Sequence, residues 1–89
     1  MNNFDKKEFF LLFLNCRRGM LELDILLLNF LDCKYYDLNL YLKLMFYDLL
    51  LESDDNLYFW LIKNKYDSEN KFYYIITLII STNYMFDFY

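Results

Sequence analysis

A chain of 89 residues with no proline and one glycine lacks nearly all the residues that interrupt regular structure. Its breaks must come from Asp, Asn and Ser, and these gather at only a few places. Between them run apolar stretches with the three-and-four spacing of helices. Hairpin dipeptides such as Asn-Gly and Asp-Gly are absent. The connections are too short for parallel crossovers. The pattern predicts an all-α fold, a single domain over residues 1–89, built as a compact antiparallel bundle of about five helices.

The helices are expected near 4–17, 20–32, 40–52, 55–63 and 69–83. In the first, Asp5 and Glu8 suit the N-terminus, and Arg17 and Arg18 suit the C-terminus. Gly19 falls where helices commonly end in left-handed geometry. In the second, Glu22, Asn29 and Asp32 share a polar face. Asp24 lies roughly 200° from Glu22 on the helical wheel, among Leu27, Leu28 and Leu31. A helical Asp on such a face is either paired or at an interface. Residues 34–39 read as a connection. The third helix is apolar at 42, 45, 46, 49 and 50. Ser53-Asp54-Asp55-Asn56 supplies the next cap, and Leu57, Trp60 and Leu61 share one side of the fourth helix. Asp67 or Ser68 is expected to cap the fifth, with Phe72, Ile75, Ile76, Ile79 and Ile80 inward. Its Ile and Tyr also suit strands; length and spacing favour a helix.

Hydrophobic residues make up 58% of the chain, ten Tyr and ten Phe among them, against a usual ~45–50%. The surplus predicts exposed apolar patches and hence a partner surface or poor solubility. Net charge is −4 and the basic residues are scattered apart from Lys6-Lys7 and Arg17-Arg18, which argues against nucleic-acid binding. The longest uncharged run, 72–86, is shorter than the ~17–25 residues of a membrane helix and holds Thr77, Ser81, Thr82 and Asn83. No membrane insertion and a cytoplasmic location are therefore expected. The two cysteines, Cys16 and Cys33, form no C-x-x-C pair and there is no His, so a one-chain zinc site is excluded. Both thiols are expected to be reduced and buried.

Without His, catalysis would rest on paired carboxylates, a Lys or a Cys nucleophile. Cys16 beside Arg17 and Arg18 could have a lowered pKa, but no base partner is visible. Asp54-Asp55 reads as a helix cap rather than an acid pair. A single Gly leaves no phosphate loop. No catalytic residue and no metal ligand is expected.

The only two arginines adjoin each other and the only glycine, in Cys16-Arg17-Arg18-Gly19-Met20-Leu21-Glu22-Leu23-Asp24. One account is purely structural: the arginines neutralise a helix end, Gly19 makes the turn, and Glu22 caps the next helix. The other uses the same geometry for binding. Two guanidiniums beside a helix N-terminus form an anion-binding surface, with Glu22 as an acceptor one turn on. As exposed charges, Arg18 and Glu22 should then be removable for under about 0.5 kcal/mol of stability.

This stretch resembles the signature of the succinate dehydrogenase FAD assembly (flavinylation) factors. Their R-G-x-x-E core is matched by Arg18, Gly19 and Glu22, and the flanking Arg and the Asp of E-L-D by Arg17 and Asp24. Downstream, their acidic turn before L-x-x-W-L is matched by Asp54, Leu57, Trp60 and Leu61. The resemblance implies a small five-helix protein without catalytic activity, expected as a monomer. It would bind the flavoprotein subunit of succinate dehydrogenase, or of fumarate reductase, and promote covalent attachment of FAD to a histidine of that subunit. No cofactor would be held stably; the FAD acted on is the partner's. Arg17, Arg18, Gly19, Glu22 and Asp24 would form the partner-binding surface, with Asp54, Leu57 and Trp60 as its supporting surface or core. The competing reading is a generic helical protein–protein interaction module with another partner.

Overall fold

The computed structural model describes residues 5–84. Among them are five helices and no strand: α1 (Lys6–Cys16), α2 (Leu21–Cys33), α3 (Leu40–Leu49), α4 (Asp54–Leu61) and α5 (Tyr73–Tyr84), with a 3-10 turn at Tyr35–Asp37. The all-α bundle predicted from spacing is the fold observed. Residue 4, where the first helix was expected to begin, lies outside the described residues.

Helix α2 is the hub, packing against α1, α4, α5 and the 3-10 turn. The reason is compositional. Leu23, Leu27, Phe30 and Leu31 form a stripe at positions one and two turns apart, and all four are fully buried. Leu57 and Leu61 of α4 and Ile75, Ile76 and Ile79 of α5 close over it. Aromatic rings fill the wider gap toward α3, with Phe46 5.3 Å from Phe30 and 5.6 Å from Tyr35 between centroids. Tyr35 is itself buried, and its hydroxyl donates to Glu8 at 2.9 Å, which ties α1 to the rest.

The boundaries differ from expectation where polar side chains compete for backbone groups. Asp67 Oδ1 accepts the Glu69 N–H at 3.0 Å and Asn70 Oδ1 accepts the Phe72 N–H at 2.8 Å. Two local turns thus occupy the segment expected to open α5, which starts four residues later, at Tyr73 rather than 69. They deliver Phe72 against Trp60, 5.8 Å between ring centroids. Ser53 caps α4 through its Oγ, 3.1 Å from the Asn56 nitrogen, so Asp54 lies inside the first turn rather than before it. Helix α3 stops at Leu49, and the next residues close three-residue turns from Leu51 to Asp48 and from Glu52 to Leu49.

Asn29 was expected on a polar face of α2 shared with Glu22 and Asp32. It is half-buried and donates to Asn83 Oδ1 at 3.0 Å; the Asn83 amide in turn donates to the carbonyls of Ile79 and Leu26. Asn83 is buried, and its amide is satisfied on both sides. No helix among the described residues is long and apolar enough to cross a membrane.

Candidate functional site

Helix α1 ends at Cys16, and Arg17 leaves it in extended geometry, φ −87° and ψ 96°. Gly19 then turns the chain at φ +86°. Its left-handed backbone was foreseen, but it lies beyond the helix terminus rather than at it. Helix α2 opens without a capping side chain at Met20. Asp24 takes over from inside the first turn. Its Oδ1 accepts the Arg18 N–H at 2.7 Å and its Oδ2 accepts the Gly19 N–H at 3.3 Å. The apolar surroundings of Asp24 required a partner, and that partner is the turn's own backbone. Glu22, expected as a cap, makes no such bond. It is exposed and receives the Tyr58 hydroxyl at 3.5 Å.

The Arg18 side chain turns inward. Its Nε donates to Asp54 Oδ1 at 2.7 Å. One terminal nitrogen donates to the carbonyls of Asn15 and Leu50, at 2.8 and 2.9 Å, and the other to the carbonyl of Glu52 at 2.8 Å. A guanidinium has five N–H donors in a rigid fork, and four are used here. Asn15 belongs to the last turn of α1, and Leu50 and Glu52 follow α3, so one cation satisfies the free carbonyls of two helix ends. Asp54 faces it from the first turn of α4, where a carboxylate is favoured by the helix dipole. The Arg18 side chain is only 14% exposed. The expectation of an exposed, structurally dispensable Arg18 is therefore corrected. One planar group thus orders the end of α1, the segment after α3 and the start of α4, with a fork geometry that an ammonium lacks.

Arg17 behaves differently. Its side chain is 59% exposed, 4.0 Å from Asp24 Oδ2, with its guanidinium carbon 5.9 Å from the centre of the Phe13 ring. Arg17, Gly19, Leu21 and Glu22 are the solvent-facing residues of the motif, while Arg18 and Asp24 hold it from beneath. Leu57 is fully buried and Trp60 half-buried, so both belong to the packing under α4. The sequence offered no side-chain signal for the Leu50 and Glu52 carbonyls, because backbone acceptors carry no identity.

Both thiols are free as expected, but only one of them is buried. Cys16 is buried, and burial outweighs the nearby Arg18 charge, pushing the thiol up to about 12 rather than down. Cys33 is exposed, its Sγ donating to Asn29 Oδ1 at 3.4 Å. No group of three or more His, Cys, Asp or Glu among the described residues is arranged to hold a metal ion.

Fold and turn together define a class: a small helical domain that braces a charged turn internally and offers its outer face to solvent. A family model described as flavinator of succinate dehydrogenase matches residues 11–83. The chain is 44% identical over 64 residues to the FAD assembly factor SdhE of Coxiella burnetii, covering 72% of this chain and 78% of that protein. It is 39% identical over 72 residues to the protein of the same name from Wigglesworthia glossinidia brevipalpis, covering 81% and 86%. A third such factor, from Yersinia pestis, is 37% identical over 68 residues, covering 76% and 77%. The chain belongs to the flavinator of succinate dehydrogenase family. No solved structure matches it.

Proposed function

We propose that this chain is an FAD assembly factor that binds the flavoprotein subunit of succinate dehydrogenase and promotes covalent attachment of its FAD. The observation that carries this reading is the family's motif in a preformed state: Asp24 and the Arg18–Asp54 pair fix the turn, leaving Arg17, Gly19 and Glu22 outward. A surface ordered before contact loses less entropy on docking. Arg17 would meet partner carboxylates, Gly19 would permit close backbone approach, and Glu22 would accept from basic groups.

The role is one of positioning, without a catalytic group from this chain. Several features support that. The chain has no His. Its buried thiol stays protonated at neutral pH. The inward charges of the motif are committed to one another. The covalent bond would form between a flavoprotein histidine and the 8α-methyl of the flavin while this chain holds the subunit in a competent arrangement, then leaves as a monomer. The flavoprotein of fumarate reductase is a second client, and the cytoplasm the site of action. Purified flavoprotein, FAD and a dicarboxylate are incubated with and without this chain, and covalent flavin is read on a denaturing gel. More flavin with the chain supports the role; equal flavin in both arms, with chain and subunit folded, excludes it for that partner.

A further inference from the structure

With Arg18 consumed inside the chain, Arg17 is the motif guanidinium that faces solvent. It stands over the ring of Phe13, and that ring also lines a groove between α1 and α2 of about 450 Å³. Ile25, Leu28, Asn29 and Asp32 line it from α2. Ile25 and Asp32 are two helical turns apart, roughly 10 Å along the axis. Because the short turn at Gly19 brings the end of α1 beside the start of α2, the groove has a cationic mouth at Arg17 and an acidic far end at Asp32. Its floor is aromatic and aliphatic. One guanidinium thus belongs to both the charged turn and the groove, which makes the two a continuous surface.

We propose that the docking surface runs from Arg17 into this groove, and that the groove seats a segment of the flavoprotein subunit. This rests on the functional reading above. The segment presents a carboxylate to Arg17, an aliphatic or aromatic side chain to Phe13, Ile25 and Leu28, and a basic or amide group toward Asp32. Charge fixes its direction, since the reversed segment would place carboxylate against carboxylate. The apolar side chain supplies the anchor, as buried aliphatic and aromatic groups do at interface centres.

The test compares the unaltered chain with Arg17→Ala, Ile25→Asp and its neutral companion Ile25→Asn, and with Leu44→Asp on α3 as control. Ile25 and Leu44 are equally accessible, at 55% and 54%, so both should tolerate substitution; helix content and melting confirm the fold. Affinity for the purified flavoprotein subunit is measured by calorimetry at two salt concentrations. Ile25→Asp is expected to weaken binding at least tenfold and Ile25→Asn severalfold, with Leu44→Asp within twofold. Arg17→Ala should weaken binding and flatten its salt dependence. Unchanged affinity in both Ile25 variants overturns the groove while leaving flavoprotein docking intact. An equal loss in Leu44→Asp overturns it too, by showing a general response to apolar loss. Failure of the unaltered chain to bind removes both this proposal and the functional reading. Sedimentation of the chain alone covers the remaining occupant: a dimer that Ile25→Asp converts to monomer assigns the groove to a second copy and overturns the proposal.

Discussion

Asp24 accepts the backbone N–H of Arg18 from six residues further along the chain, at 2.7 Å. The bond closes the loop between α1 and α2 from the side of the helix that follows it. Met20, at the capping position, makes no side-chain bond, so the loop depends on this carboxylate. Asp24→Ala should cost about 1–2 kcal/mol, the range for losing a capping side chain. Asp24→Asn keeps one acceptor oxygen and should cost less. Urea midpoints of the two variants at equal m-value measure the difference.

Arg18→Ala should destabilise by about 2–3 kcal/mol, because it strands three carbonyls and a carboxylate that shared one charged donor. Arg18→Lys should recover only part of this, since an ammonium cannot span the fork. Asp54→Asn should cost under about 1 kcal/mol, because its side chain is 44% exposed and already well solvated. Thermal melts that rank the three in any other order contradict the bracing role of Arg18.

Gly19 separates backbone from contact effects. Its φ is +86°, yet a Cβ built there meets nothing within 4 Å. Gly19→Ala should therefore cost about 1–2 kcal/mol from the left-handed backbone alone, and Gly19→Asn less. Once stability is matched by temperature, any remaining loss of flavoprotein affinity reports a contact at that position. Calorimetry on both variants provides the comparison.

The two thiols should differ in reactivity and in pH response. Iodoacetamide at pH 8 should label exposed Cys33 in the native protein and reach buried Cys16 only on unfolding, as mass spectrometry can resolve. The Cys16 thiol is raised from 9.0 to about 12 by burial. Between those values the unfolded chain releases a proton that the folded chain keeps. Stability is therefore full below pH 9 and falls as pH rises through the window, by about 1.4 kcal/mol per unit. Burial shifts Tyr35 in the same direction. Melting temperatures from pH 8 to 10.5 should fall more shallowly in Cys16→Ala than in the unaltered chain.

Helix number and inward faces were legible because Leu, Phe and Ile recur at three and four residues, and burial follows that recurrence at Leu23, Leu27, Phe30 and Leu31. The start of α5 was not. Asp67 and Asn70 make side-chain bonds to the backbone that compete with the helix, and apolar spacing does not register them. In the candidate site, the unusual Arg-Arg-Gly cluster marked a turn that the structure braces, and the acidic turn at Asp54 was singled out separately. Their union across 36 residues was invisible, because three of the four acceptors around Arg18 are backbone carbonyls. Adjacency in sequence also suggested equal roles for Arg17 and Arg18, whereas extended geometry at Arg17 sends the two side chains to opposite environments.

Apart from Asn15, the side-chain partners of Arg18 lie 32 to 36 residues downstream. During synthesis the motif therefore leaves the ribosome long before the groups that shape it. A nascent chain ending at residue 45 carries every letter of the motif but none of the Leu50, Glu52 or Asp54 brace. The turn is thus braced only once the chain has been extended through Asp54.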